Sequence, residues 1–181
     1  MIQTLLDELT TELRLGTSKK KHPFRYFTLA THGLKNGLGL RTVVLRKVTK
    51  DLCLTFYTDN RSTKMKEIKE KPSVSALFYH PKKLWQLTIM GKASVETDPA
   101  ILKKYWSGVQ LNARKDYTAS QTPGSPIKDP EEIEYLRGTE HFAIVHIVPE
   151  EIDFLKLGRT HHTRAKFIKK GTGWEGNYLV P

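Results

Sequence analysis

The chain has 181 residues, enough for one domain with appendages and too few for two full ones. Lys and Arg number 30 against 19 Asp and Glu, and the formal charge of +11 points to anionic partners, while 38% hydrophobic content supports a core and excludes global disorder. No apolar run approaches the ~18 residues of a membrane span, and the single cysteine, Cys53, excludes an intramolecular disulfide and a cysteine-cluster metal site. The N-terminus carries acids and no basic leader, so a cytoplasmic location is expected.

Ile2, Leu5, Leu6, Leu9 and Leu13 fall on one stripe at helical period, which predicts an amphipathic helix stopped near Gly16. A basic connector, TSKKKH, follows, and residues 1–22 are read as an appendage to a domain over 23–181. FRYFTLATH, RTVVLRKV and LCLTFYT read as three strands with short turns, an antiparallel meander. The period changes at STKMKEIKEK, a short helix with Ser62 or Thr63 as N-cap, Glu67 spaced to pair with Lys71, and Pro72 as its stop. SVSALFYH and LWQLTIMGKASVE predict two further strands, and Pro99–Trp106 a helix. Ser107–Pro130 is polar and turn-rich, a long loop of the kind that carries function. PEEIEYLRG is a helix candidate, HFAIVHIVPEEIDFLKL and TRAKFIK are strands, and a short end closes the chain around Trp174–Pro181. Six or seven strands with three or four short helices favour a β-barrel or sandwich over a doubly wound α/β sheet.

No Walker A loop or G-x-G-x-x-G turn is present, which argues against a Rossmann-type nucleotide site. The histidine spacings give no recognisable metal motif, and Cys53 reads as a small buried hydrophobe. The strand aromatics Phe24, Tyr26, Phe27, Phe56 and Tyr57 are better read as core than as a base-stacking platform, so no nucleic-acid partner is expected. The informative cations lie between Arg41 and Lys71. Ser62-Thr63-Lys64 opens a helix, where free N–H groups and the dipole favour an anion. Arg41 on a neighbouring strand would add a bidentate grip. Together they make a candidate phosphate cradle, with an ordinary capped helix beside a surface lysine as the alternative.

These residues resemble the pyridoxamine 5'-phosphate oxidase-like FMN-binding split barrels. RTVVLR at Arg41–Arg46 is similar to the family's R-x-V-x-L-K strand, Phe56-Tyr57-Thr58 to its F-Y-T strand end, and Ser62-Thr63-Lys64 to its S-R-K helix start. KPSVSALFYHPKKLWQLTIMGKASV resembles its N-P-x-V hairpin with Gln86 at the glutamine position, Tyr105-Trp106 its aromatic pair, and EEIDFLKLG…HTR its I-E-F-W…H-D-R segment. Trp174–Pro181 matches the family's ending, so the resemblance spans about 24–181. It implies a mainly β (α+β) fold, a six- to seven-stranded antiparallel split β-barrel with peripheral helices. It also implies a homodimer with FMN at the subunit interface, no membrane and no metal.

Carried over position by position, the resemblance gives the FMN phosphate to Arg41, Ser62, Thr63 and Lys64. Thr63 stands where the family has Arg, so Arg61 is a candidate to complete the grip. Thr42, Val43, Val44, Leu45, Arg46, Tyr57 and Thr58 would line the flavin, Gln86 would bond its ring edge, and Arg164 would stand near it. Gln121-Thr122 matches a pair that the family takes from the second subunit. Leu155 replaces a Trp. Arg46, Tyr105 and His162 would face a small substrate, phosphorylated or not, and His162 and Arg164 are the candidate catalytic residues. Arg114 is a substitute for a family arginine that has no match here. The implied activity is hydride transfer from that substrate to flavin N5; a binding module that holds flavin, haem or another anion without turnover is the alternative.

Overall fold

A computed structural model describes residues 2–35 and 37–181. The N-terminal helix α1 (Ile2–Ser18) buries Leu6, Leu9 and Leu13 on the barrel. It runs past Gly16, which is no stop. A side chain at that position would meet the Phe24 backbone at 2.7 Å, so Gly16 lets the helix pass close to the 3-10 turn Pro23–Arg25 that leads into the barrel.

The strands are β1 (Tyr26–His32), β2 (Leu38–Val44), β3 (Lys47–Val48), β4 (Leu54–Asp59), β5 (Ser73–His80), β6 (Trp85–Val95), β7 (Phe142–Lys156), β8 (Thr163–Lys170) and β9 (Gly173–Leu179). The helices are α2 (Thr63–Glu70), α3 (Pro99–Ser107) and the single turn α4 (Leu111–Arg114). Nine strands exceed the expected six or seven because RTVVLRKV splits at Leu45–Arg46 and the end of the chain pairs as β9. All pairings among them are antiparallel, in the order β2-β1-β5-β6-β7-β4-β3, with β8 and β9 continuing from β7.

The expected three-strand meander does not form. β4 pairs with β7 across the sheet, not with β2. The link between them closes the barrel: Leu45 N–H donates to the Arg25 carbonyl on one side, and Arg46 N–H to the Thr55 carbonyl on the other, both at 2.8 Å. Inside, Phe24, Phe27, Leu29, Leu45, Leu54, Phe56, Phe78, Leu87, Ile89 and Phe154 form one core. A second, smaller cluster of Tyr117, Phe142 and Ile144 sits beneath α3, flanked by Tyr57, Tyr105 and Trp106. The helix candidate at PEEIEYLRG is only a 3-10 turn over Pro130–Glu132, because the segment buries no apolar stripe to hold a longer helix.

The 15-residue β7 organises everything that follows. β4 pairs with its first half, Phe142–Ile147. β8 pairs with its last six residues, and β6 runs along it from Val145 to Lys156 with a register shift at Met90/Gly91.

Candidate cofactor and substrate site

The end of β4 and the start of α2 build a compact cluster of donors. The Lys64 ammonium donates to Thr58 Oγ1 at 2.9 Å and to Ser62 Oγ at 3.1 Å, and these two hydroxyl oxygens lie 3.3 Å apart. Among the described residues Lys64 has no carboxylate partner within 4.0 Å. Burial, and then the positive charge of Arg41, push its pKa below the ordinary lysine value. Ser62 occupies the N-cap, yet its side chain caps no helical N–H; it donates instead to the Asp59 carbonyl at 2.8 Å. The first turn of α2 is thereby left open to an external acceptor, beside a half-buried ammonium that feels Asp59 and Glu67 only beyond bonding distance, those acids being paired with Arg61 and Arg41. A phosphate fits that donor set.

Arg41 faces the barrel side of β2 and is tied to α2. Its Nη2 donates to Glu67 Oε2 at 2.6 Å, and its Nη1 donates to Thr31 Oγ1 and to the Gly39 carbonyl. Glu67 is buried, so its expected pairing with Lys71 along the helix is replaced by this inward one. Arg61 does not complete the cradle. Its guanidinium forks onto Asp59 at 2.7 and 3.1 Å and donates to the carbonyls of Ala119 and Ser120, at 2.8 and 3.2 Å. That contact brings the loop bearing Gln121 and Thr122 to the start of α2 within one chain. Glu67 and Asp59 escaped the sequence reading because each acid also has an ordinary surface interpretation.

Above the cradle, Arg46 lies over the Tyr57 ring at 5.2 Å, and Tyr57 packs edge-on to Tyr105 at 6.1 Å. Burial pushes the Tyr57 hydroxyl up to about 12, so it stays protonated at neutral pH. The cation that reaches the Tyr105 hydroxyl is Lys47, at 3.1 Å, one of the cations between Arg41 and Lys71 to which the sequence assigned no role. Arg114 is committed elsewhere: it stacks on Trp106 and donates to the carbonyls of Trp106, Ser107 and Val109 at the end of α3. Leu45 is wholly buried and Val43 nearly so; the N–H groups of Leu45 and Arg46 are used in closing the barrel. Thr42 is exposed on the outer face of the sheet.

The remaining expected residues lie elsewhere. Gln86, Leu155 and Arg164 stand side by side on β6, β7 and β8. Arg164 donates to Asp153 at 3.0 Å, and its Nε is buried without a partner. His162 lies in the loop before β8 and accepts from Gly158 N–H at 3.2 Å. Thr58 pairs with Ala143 and Gln86 with Leu155, so twelve residues of β7 separate the two groups. That is a strand contour of about 40 Å. Three buried side-chain nitrogens among the described residues lack a partner, those of Arg46, Arg164 and Trp85. Two of the three belong to residues expected to face a ligand, one at each end of β7.

A further cluster joins α1 to the barrel. Glu12, His22 and His80 present ligand atoms within 4.8 Å of one another, and Lys83 donates to Glu12 Oε1 at 2.6 Å. Each histidine Nδ1 accepts a backbone N–H, from Phe24 and Lys83 respectively. Each neutral ring therefore carries its proton on Nε2, facing Glu12. This arrangement surrounds the carboxylate with donors rather than lone pairs, which suits an internal clamp better than a metal.

A family model described as "Pyridoxamine 5'-phosphate oxidase, FMN-binding domain" matches residues 5–97. A pyridoxine/pyridoxamine 5'-phosphate oxidase 2 of Arabidopsis thaliana is 26% identical over 173 residues, covering 86% of this chain and 87% of the relative. An oxidase of the same name from Psychrobacter cryohalolentis is 40% identical over 72 residues, 39% of this chain and 33% of its own. Two solved structures share the fold at TM-score 0.78. One is a pyridoxamine 5'-phosphate oxidase-related FMN-binding protein of Nostoc punctiforme, 23% identical over 97% of this chain and 96% of that one. The other is PhzG of Burkholderia lata, solved with tetrahydrophenazine-1-carboxylic acid, 20% identical over 98% and 91%.

Proposed function

The chain belongs to the pyridoxamine 5'-phosphate oxidase FMN-binding family, and from that membership we propose that it is an FMN-dependent oxidoreductase acting as a homodimer. The separation along β7 supports this reading: the phosphate cradle and the ring-facing residues lie against positions twelve apart on that strand, which favours a site shared with a second copy. A second copy supplies the missing half. The surface that bears Gln86 and Arg164 suits such a copy. Cross-strand pairing puts Leu38, Leu40, Thr42, Thr28 and Leu77 on the outer face of the sheet, and Leu38 and Leu40 are 72% and 65% exposed.

In this reading Lys64, Ser62 and Thr58 hold the phosphate, with Arg41 as the second cation. Gln86 can donate to and accept from the ring edge, and the Arg164 guanidinium stabilises negative charge there. Arg46 with Tyr57 and Tyr105 forms an aromatic and cationic wall toward a small anionic substrate. His162 stands at the loop edge where a proton can be exchanged with solvent. FMN, when bound, would supply the redox chemistry, with its N5 as the hydride acceptor. No helix among the described residues is long and apolar enough to cross a membrane.

Complementation tests this reading. Lys64→Ala and Arg164→Ala each damage a different half of the site. In a mixed dimer of the two variants, a site shared between subunits leaves one pocket with both native residues and one with neither. Differently tagged chains, co-expressed and purified as the heterodimer, should recover about one FMN per two chains and half the substrate-dependent flavin reduction. A heterodimer no better than either variant would refute the shared site. A wild-type protein that takes up no FMN would refute the cofactor assignment itself.

A further inference from the structure

We infer that Glu67 is a positioning residue that aims Arg41 at the FMN phosphate; the inference rests on the phosphate cradle proposed above. An arginine side chain has five N–H donors. Nη1 spends both of its own on Thr31 Oγ1 and the Gly39 carbonyl, and Nη2 spends one on Glu67 Oε2. Thr31 Oγ1 in turn donates to Glu67 Oε2 at 2.5 Å, so these two oxygens sit together against the outer end of the guanidinium. The donors left are Nε–H and the second Nη2–H. They lie parallel on one edge, the fork that matches two phosphate oxygens.

The packing around this arrangement leaves it little freedom. Glu67 projects from the buried face of α2, with a side chain only 5% exposed. Position 39 is glycine, and a Cβ there would collide with Arg41 Nη2 and come within 2.8 Å of both Thr31 Oγ1 and Glu67 Oε2. Glu67 therefore costs the site one negative charge, yet it fixes a long, rotamer-rich side chain before the ligand arrives. The Arg41 charge also depresses the Lys64 pKa, so the two cations lie within electrostatic reach of each other.

The readout is the ratio of riboflavin to FMN dissociation constants, which isolates the grip on phosphate from the grip on the ring. Fluorescence titrations of the full chain with each flavin supply it. Glu67→Ala should lower the ratio about tenfold with riboflavin affinity unchanged. Glu67→Gln, which keeps an acceptor for Nη2, should retain most of the ratio. Thr31→Val removes the bridging hydroxyl while keeping the shape, and should lower the ratio by a smaller factor even if Glu67→Ala folds poorly. An unchanged or higher ratio in Glu67→Ala, or in Thr31→Val where Glu67→Ala does not fold, overturns the inference, because the carboxylate would then be a bystander or a competitor. Equal losses for both flavins also overturn it, since they mark a structural role. A wild-type ratio near one refutes the cradle, and this inference with it; a large wild-type ratio that Glu67→Ala leaves intact refutes the inference alone.

Discussion

Lys64→Met separates what the cradle does for the ligand from what it does for the fold. The substitution keeps the apolar stem and removes the ammonium, with its contacts to Thr58 Oγ1 and Ser62 Oγ. Those two hydroxyls are 3.3 Å apart and can bond to each other, and Ser62 already donates to the Asp59 carbonyl, so neither is stranded. The depressed pKa of Lys64 has a definite sign. Its charged form is less favourable in the folded chain than in the unfolded one, so the charge opposes folding. The ligand-free variant should therefore melt at or slightly above the wild-type temperature. Phosphate binding should suffer: a hydrogen bond to a charged group contributes about 1.5–3 kcal/mol, and a loss near 2 kcal/mol weakens FMN roughly 30-fold.

The same lysine sets a pH dependence. In the free protein it loses its proton below the ordinary value of 10.5, and a bound phosphate raises its affinity for that proton. Binding is then coupled to proton uptake, so FMN affinity should decline as pH rises toward that value, starting below it. The variant should lack this decline. Fluorescence titration across pH checks both points. FMN affinity within threefold of wild type in Lys64→Met, or an unaltered alkaline decline, would refute the assignment of the phosphate to this site.

Gly39→Ala should lower stability by about 1–3 kcal/mol, because the added methyl overpacks the Arg41–Glu67–Thr31 contact; thermal melting checks it. Glu12→Gln should cost about 1–3 kcal/mol at pH 7 through the lost clamp with Lys83 and His22. Burial is the largest single influence on Glu12 and raises its pKa, but Lys83 and His22 together outweigh it and the net shift is downward. Its stabilisation is thus present above the ordinary carboxylate value of 4.5 and lost as pH falls through the depressed one, so wild type and variant should converge in acid, as urea midpoints at pH 7 and pH 3 would show.

Legibility followed locality. Ser62, Lys64 and Tyr57-Thr58 belong to short segments whose period and turn chemistry place them at a strand end and a helix start, and the structure puts them there. The partner of Arg41 was hidden. Glu67 satisfies the spacing rule for Lys71 equally well, and only the contact between α2 and β1–β2 decides between them. The β4–β7 pairing was hidden for a related reason. Sequential strands usually neighbour one another, and nothing in LCLTFYT announces that its partner lies more than eighty residues later. The 3-10 turn at Pro130 carries a sound helix start, with Asp129 accepting from Glu131 N–H at 2.8 Å, but no buried face to extend it. The clamp at Glu12 joins residues from α1, the connector and the β5–β6 turn, none of which forms a pattern with the others in sequence.

The separation along β7 is built into the core and is not free to relax. Ile144, Val145, Ile147, Ile152 and Phe154 on this strand are at most 1% exposed, and the strand is hydrogen-bonded to β4 and β6 over its first half and to β6 and β8 over its last. Folding the strand back to bring Arg164 to Lys64 would break those ladders and expose that core. Each fully buried side chain of this size contributes about 1.5–3 kcal/mol, so five of them exceed what the grip on one phosphate returns. A single chain therefore holds the Lys64 cluster and the Gln86–Leu155–Arg164 row at a fixed separation. On the proposed function, the cheaper route to a whole site is a second chain, docked so that the cradle of each copy meets the Gln86–Leu155–Arg164 row of the other. On that proposal the +11 charge narrows in meaning to a few cations, Lys64, Arg41 and Arg164 among them, and Arg41 is the one a buried carboxylate holds.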